Sequence, residues 1–221
     1  MSTYRLYTIS GAPRPWRVHL AFALKNLAYE DIVLQASARE QKSEAFLAVN
    51  PRGRVPVPRD GDFVLPESIA ILAHLERKHP EVPIFGTTAE EAARIWEEVC
   101  EGDQDGLKAF GAIFVPFLFG RSTDVTDAAR ANADAARQEL RRLDARLAEH
   151  AFVCGDRPTA GDCVDYPQVR MITRLRERAP DVFAALGFEP FERAFPNVHA
   201  WMARIEALPG FERTIPVHWR E

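Results

Sequence analysis

The stretch Asn50-Pro51-Arg52-Gly53-Arg54-Val55-Pro56-Val57, with Pro66-Glu67-Ser68-Ile69-Ala70-Ile71 a few residues on, decides how the first part of the chain is read. The Val55–Pro56 bond joins a loop to a short strand candidate. It is a candidate cis peptide, since only X-Pro bonds make that isomer common. A cis bond there turns the Val55 backbone outward, leaving its N–H and C=O for an extended peptide that pairs as an added strand. Glu67 and Ser68 stand where a helix begins, so backbone N–H groups and the Ser68 hydroxyl can hold a carboxylate while Glu67 accepts from an ammonium. Together these describe a site for a zwitterionic peptide. The commoner use of the same pair is structural, with Ser68 as an N-cap and Glu67 as a first-turn acid.

Working outward, Arg5–Ile9 has strand composition, and residues 16–26 place Val18, Leu20, Ala21, Ala23 and Leu24 at helical spacings. Residues 29–34 return to strand character, and 41–49 read as a short helix stopped by Asn50-Pro51. Strand candidates around Val55–Val57 and Phe63–Leu65 flank an Asp60-Gly61 pair that suits a hairpin turn, and an amphipathic helix runs from Ile69 to Lys78. The order is β-α-β-α-β-β-α. Strand signals then stop. The Pro- and Gly-rich segment HPEVPIFGT (79–87) reads as a linker, and Thr88 with Glu91 forms a candidate capping box opening a helix past Trp96. Residues 128–150 carry Leu140, Leu143 and Leu147 on one face, and helices follow at 160–178 and 197–208. The expected organisation is an α/β unit over 1–80, a linker over 81–87 and an all-helical unit over 88–221.

Composition narrows the function classes. The chain has 221 residues and a net charge of only −4, with both signs interleaved, which argues against a nucleic-acid partner. Three cysteines, an odd number without CxxC spacing, fit a reducing compartment, and the six histidines show no metal-ligand spacing, so no metal is expected. The first ten residues, MSTYRLYTIS, lack a leader pattern, and no run approaches the ~18 apolar residues of a membrane span. The expectation is a cytoplasmic protein without a membrane partner.

NPRGRVPV…LPESIAIL resembles, in register and order, the glutathione-binding segment of the cytosolic glutathione S-transferases, in a bacterial-type form with no class assigned. A second segment, Thr159-Ala160-Gly161-Asp162, is similar to that family's buried capping box at the start of a core helix. The resemblance covers essentially the whole chain. It implies a thioredoxin-like N-terminal domain followed by an all-α domain. It also implies that Val55 pairs with the cysteinyl backbone of glutathione, that Pro56 is the cis-proline, and that Glu67 and Ser68 hold the γ-glutamyl end. Arg54 stands where lysine is frequent and would meet the glycyl carboxylate, with Gln41 and Lys42 as further contacts. Phe110, Phe114 and Phe117, in the aromatic run FGAIFVPFLF, are candidates for the electrophile pocket or for core packing. The implied reaction is attack of a glutathione thiolate on a small apolar electrophile by a homodimeric detoxification enzyme, with glutathione as co-substrate.

The free thiol has a pKa of about 8.5, so chemistry at neutral pH needs a group that stabilises the thiolate. The family supplies Tyr, Ser or Cys at the end of the first strand or the start of the first helix. In the run Thr8-Ile9-Ser10-Gly11-Ala12-Pro13-Arg14-Pro15-Trp16-Arg17-Val18 that position is Ala12, which has neither hydroxyl nor thiol. The substitutes are Ser10, Tyr7 and Arg14, or the N-terminus of the first helix. Ser10 leads. Ala12 also raises the reading of a non-catalytic glutathione-binding or regulatory member, and the local match Trp16-Arg17-Val18 that of a glutathione-dependent cis–trans isomerase.

Overall fold

A computed structural model describes residues 4–219. Of these, residues 4–85 together with 208–219 make one compact unit, and Gly86–Ala207 make another.

The first unit is a small mixed sheet with helices. Strand β1 (Tyr4–Thr8) pairs in parallel with β2 (Tyr29–Val33), after the intervening helix α1 (Pro13–Leu24). A short helix α2 (Glu44–Leu47) leads to β3 (Val57–Asp60), antiparallel to β1, and β4 (Phe63–Val64) closes the hairpin. The sheet order is β2-β1-β3-β4, and α3 (Ser68–Lys78) follows it. Alternation along β1 buries Tyr4, Leu6 and Thr8, and the inward face is completed by Val18, Ala21 and Phe22 of α1 and Ile71, Leu72 and Leu75 of α3. The helix expected over 41–49 is divided by Ser43. Its backbone is extended and its hydroxyl accepts the Phe46 N–H, so α2 starts anew after a one-turn segment at Glu40–Lys42.

The stretch 79–85 looked like a linker but is fastened to this unit. The buried Lys25 ammonium donates to Glu76 Oε2 (2.8 Å) and to the carbonyls of His79 (2.8 Å) and Val82 (2.6 Å). The Glu76 carboxylate accepts the N–H groups of Ile84 and Phe85. The C-terminal residues join the same unit through the buried Trp16, whose indole N–H donates to Thr214 Oγ1 at 3.1 Å.

The second unit is helical. Its elements are α4 (Ala89–Glu101), α5 (Leu107–Phe114), α6 (Asp127–Leu147), α7 (Ala160–Arg178), α8 (Pro180–Ala185), α9 (Phe191–Ala194) and α10 (Pro196–Glu206). The buried face of α6 is Ala133, Ala136, Leu140, Leu143 and Leu147, the helical period seen in the sequence. At α4 only half of the expected capping box forms. Thr88 accepts the Glu91 N–H, but the Glu91 carboxylate reaches one residue further back, to the N–H and hydroxyl of Thr87. At α7 both halves of the Thr159–Asp162 box are present. Asp162 is buried and accepts from Thr159 N (2.7 Å), Thr159 Oγ1 (3.0 Å), Val153 N (3.1 Å) and Trp201 Nε1 (2.8 Å). Burial pushes its carboxyl pKa up, against the pull of those donors. The short helices α8 and α9 were not expected. They form where Phe183, Phe188, Phe191 and Phe195 bury together around Pro180 and Pro190. No helix among the described residues is long and apolar enough to cross a membrane.

Candidate functional site

Three segments of the first unit converge on one end of its sheet. The antiparallel register closes with Tyr7 opposite Val57, so the chain leaves β1 toward Ile9 at the end where it enters β3 from Pro56. Helix α1 starts from that end, and its Arg17 reaches Ser68 at the start of α3, with Nη1 to Oγ at 3.5 Å. The turn Ser10–Ala12, the Val55–Pro56 bond and the Glu67–Ser68 pair therefore lie at the same end of the sheet.

The Val55–Pro56 bond is cis. Pro56 is buried and Val55 is half-buried, and among the described residues the Val55 N–H and C=O enter no backbone hydrogen bond. Backbone polar groups need partners, and an extended ligand provides both at once. The loop before this bond is shaped by Asn50, whose part the sequence reading missed. Its side chain donates from Nδ2 to the Arg54 carbonyl (2.7 Å) and accepts the Arg52 N–H at Oδ1 (3.1 Å). Gly53 has φ 59°, and a Cβ there would lie 2.6 Å from the Gln41 carbonyl and 2.7 Å from Lys42 Nζ. Only glycine allows this approach. Lys42 Nζ donates to the Arg52 carbonyl (3.0 Å), and Arg54 is exposed, so two cations stand beside the loop. The Gln41 side-chain oxygen is buried and has no partner among the described residues.

Glu67, not Ser68, is the N-cap of α3. Its carbonyl accepts the first helical bond, from Ile71 N, and its backbone sits at φ 76°, ψ 112°. A non-glycine residue at that φ costs on the order of 1–3 kcal/mol and points to a functional demand. Its side chain is exposed, while Ser68 is 5% exposed at the first helical position. Behind Ser68 lies the fully buried Arg17, a second residue that sequence reasoning did not single out. A guanidinium beneath a helix N-terminus adds to the positive end of the helix dipole, and an anion at Ser68 gains from both.

At the end of β1, Ala12 N donates to the Ile9 carbonyl at 3.2 Å, and Gly11 has φ 78°, as a type II turn demands of its third residue. Ala12 is the N-cap of α1 and makes no side-chain capping bond. Pro13 and Pro15 remove two of the first three helical N–H groups, leaving that of Arg14, so α1 offers an anion less than an ordinary helix start would. Tyr7 packs its ring on Phe46, with centroids 5.5 Å apart. Ser10 is half-buried, and its hydroxyl lies 3.0 Å from His218 Nδ1. In the helical unit Phe110, Phe114 and Phe117 are all buried, and the apolar side chains that α5 and the turn after it expose are Val115 and Phe119.

Residues 2–77 match the family description "Glutathione S-transferase, N-terminal domain", and residues 108–209 match "Glutathione S-transferase, C-terminal domain". Human glutathione S-transferase theta-2 is 30% identical over 214 residues, 93% of this chain and 82% of that protein. Glutathione S-transferase 2 of Schizosaccharomyces pombe is 27% identical over 228 residues, 97% of this chain and 95% of that protein. The crystal structure of a glutathione S-transferase from the Antarctic clam Laternula elliptica superposes with a TM-score of 0.84 at 28% identity, covering 100% of this chain and 95% of that one.

Proposed function

Because the chain belongs to the glutathione S-transferase family, we propose that it binds glutathione in its first unit and transfers it, as the thiolate, to a small apolar electrophile. The observation that carries this reading is the cis Val55–Pro56 bond, with both Val55 backbone polar groups open to an extended ligand. Strand-like pairing there holds the cysteinyl residue of glutathione. The γ-glutamyl carboxylate meets Ser68, backed by Arg17, and its ammonium meets Glu67. The glycyl carboxylate meets Arg54, with Lys42 and Gln41 beside it.

Ser10 is the activating residue of this reading. Its hydroxyl stands on the turn that ends β1, at the sheet end where Val55–Pro56 enters β3. It donates a hydrogen bond that the sulfur accepts better as thiolate than as thiol, which lowers the thiol pKa. The thiol proton leaves to solvent and Ser10 keeps its own. A reducing cytoplasmic setting is supported by the three cysteines, all of them free. A homodimer completes the proposal; sedimentation equilibrium is expected to give about twice the 24.9 kDa chain mass, and a value at the chain mass would remove the dimer from it.

A steady-state assay with glutathione and a chloronitroaromatic acceptor, run beside retention on immobilised glutathione, tests the proposal. Retention with turnover is expected. Ala12 favours a second reading, a glutathione binder without transferase activity, and retention with no turnover for any acceptor would establish that one. No retention sinks both.

A further inference from the structure

We propose that His218 and Trp219 are positioning residues that fix the direction of the Ser10 hydroxyl, so that its proton points to the glutathione sulfur. This rests on the reading of Ser10 as activator.

The Trp219 indole Nε1–H lies 2.9 Å from His218 Nε2, and an indole N–H only donates. His218 Nε2 is therefore an acceptor and carries no proton. A neutral imidazole has one N–H, so that proton is on Nδ1. Nδ1 is 3.0 Å from Ser10 Oγ, and this bond runs from His218 to Ser10. With its oxygen engaged as acceptor, the Ser10 hydroxyl cannot spend its own proton on the imidazole. It keeps that proton for another acceptor. Each donor in the chain Trp219, His218, Ser10 also polarises the next, which strengthens the last bond of the series.

The ring is held in place by contacts independent of those bonds. Trp219 sits edge-on to Trp16, with centroids 5.1 Å apart and planes at 85°, and Trp16 is anchored to Thr214 at 3.1 Å. The Trp219 N–H donates to the Pro216 carbonyl at 2.9 Å, closing the one-turn segment Val217–Trp219. The imidazole lies against the turn itself. A Cβ on Gly11 would be 3.0 Å from His218 Cε1, so glycine at this position also makes room for the ring. Ile9–Ala12, Pro15 and Trp16, with His19, Asp31 and Val33, line a small cavity of about 50 Å³ closed on its other side by Arg213–Val217, so the C-terminal segment faces the activating turn.

The test is titration of the bound glutathione thiol, followed by thiolate ultraviolet absorbance, in the whole protein. His218→Ala is expected to raise that pKa by about half a unit to one unit, the size of one neutral hydrogen bond, with glutathione affinity at low pH unchanged. His218→Asn keeps an amide N–H close to the Nδ1 position and restores most of the shift. Trp219→Phe raises the pKa less than His218→Ala. In a Ser10→Ala background, His218→Ala adds nothing further. If Ser10→Ala raises the pKa but His218→Ala does not, the positioning role is wrong and the activator stands. If Ser10→Ala itself leaves the titration unmoved, both fail. His218 is exposed, so unchanged thermal unfolding of His218→Ala is expected alongside.

Discussion

A hydroxyl placed two residues before the usual position does the same chemistry if the turn brings it to the same point, and at the residue scale this account depends on that substitution. Ala12 cannot stabilise a thiolate, whereas Ser10 stands on the Ile9–Ala12 turn with its oxygen 3.0 Å from His218 Nδ1. Ser10→Ala is expected to lower kcat/KM ten- to a hundredfold, about 1.4–2.8 kcal/mol of transition-state stabilisation, while retention on glutathione persists. Ser68→Ala acts on the other parameter. Loss of a hydrogen bond to a carboxylate raises KM for glutathione roughly tenfold with kcat little changed, since that bond is present in ground and transition states alike. A fall in kcat with constant KM would move Ser68 out of the binding role.

At the scale of elements, two short segments carry more of the site than their length implies. The loop Asn50–Arg54 is clasped by the Asn50 side chain, and its approach to Gln41 and Lys42 leaves no space for a Cβ at Gly53. Gly53→Ala is expected to lower both the melting temperature and glutathione affinity. Gly61→Ala is the control, with φ 61° but nothing within 4 Å, and it costs only about 1 kcal/mol of backbone strain with affinity intact. At the start of α7, Thr159→Ala is expected to lose about 1–2 kcal/mol in urea unfolding, and Asp162→Ala about 3 kcal/mol or more. The second change strands the buried donors of Trp201, Val153 and Thr159. Both motifs were legible because they are local: Val55-Pro56 and Thr159-x-x-Asp162 place their partners within a few residues. Arg17 and Asn50 were not. Arg17 gains its role from a contact 51 positions away, and Asn50 looks like an ordinary helix stop until its loop is closed around it. Helical period likewise identified the run from Phe110 to Phe119 without revealing that Phe110, Phe114 and Phe117 turn inward and Val115 and Phe119 outward.

For the whole molecule, the β-α-β-α-β-β-α order followed by helices was readable from strand composition, helical period and turn residues. The fastening of 79–85 by Lys25 and Glu76, and the return of the C-terminal residues to the first unit through Thr214 and Trp219, were not. Those contacts join residues far apart in sequence, and a Pro-rich segment looks the same whether tied or loose. Stability should also depend on pH through His19, whose Nδ1 meets the Tyr29 hydroxyl at 2.7 Å. Burial holds its pKa below the ordinary 6.5 by more than the neighbouring Asp31 carboxylate lifts it. As pH falls through 6.5 the unfolded chain takes up the proton first, so stability drops there, and well above 6.5 this residue adds no slope. His19→Gln should flatten melting temperature against pH in that window, apart from the contribution of His79, which has the same sign. The most direct test of the account as a whole is the ultraviolet titration of the thiol of glutathione bound to the unaltered protein. The account predicts a thiolate band that persists at least one pH unit below that of free glutathione and retreats toward it in Ser10→Ala. A bound thiol that titrates like the free one in the unaltered protein would contradict it.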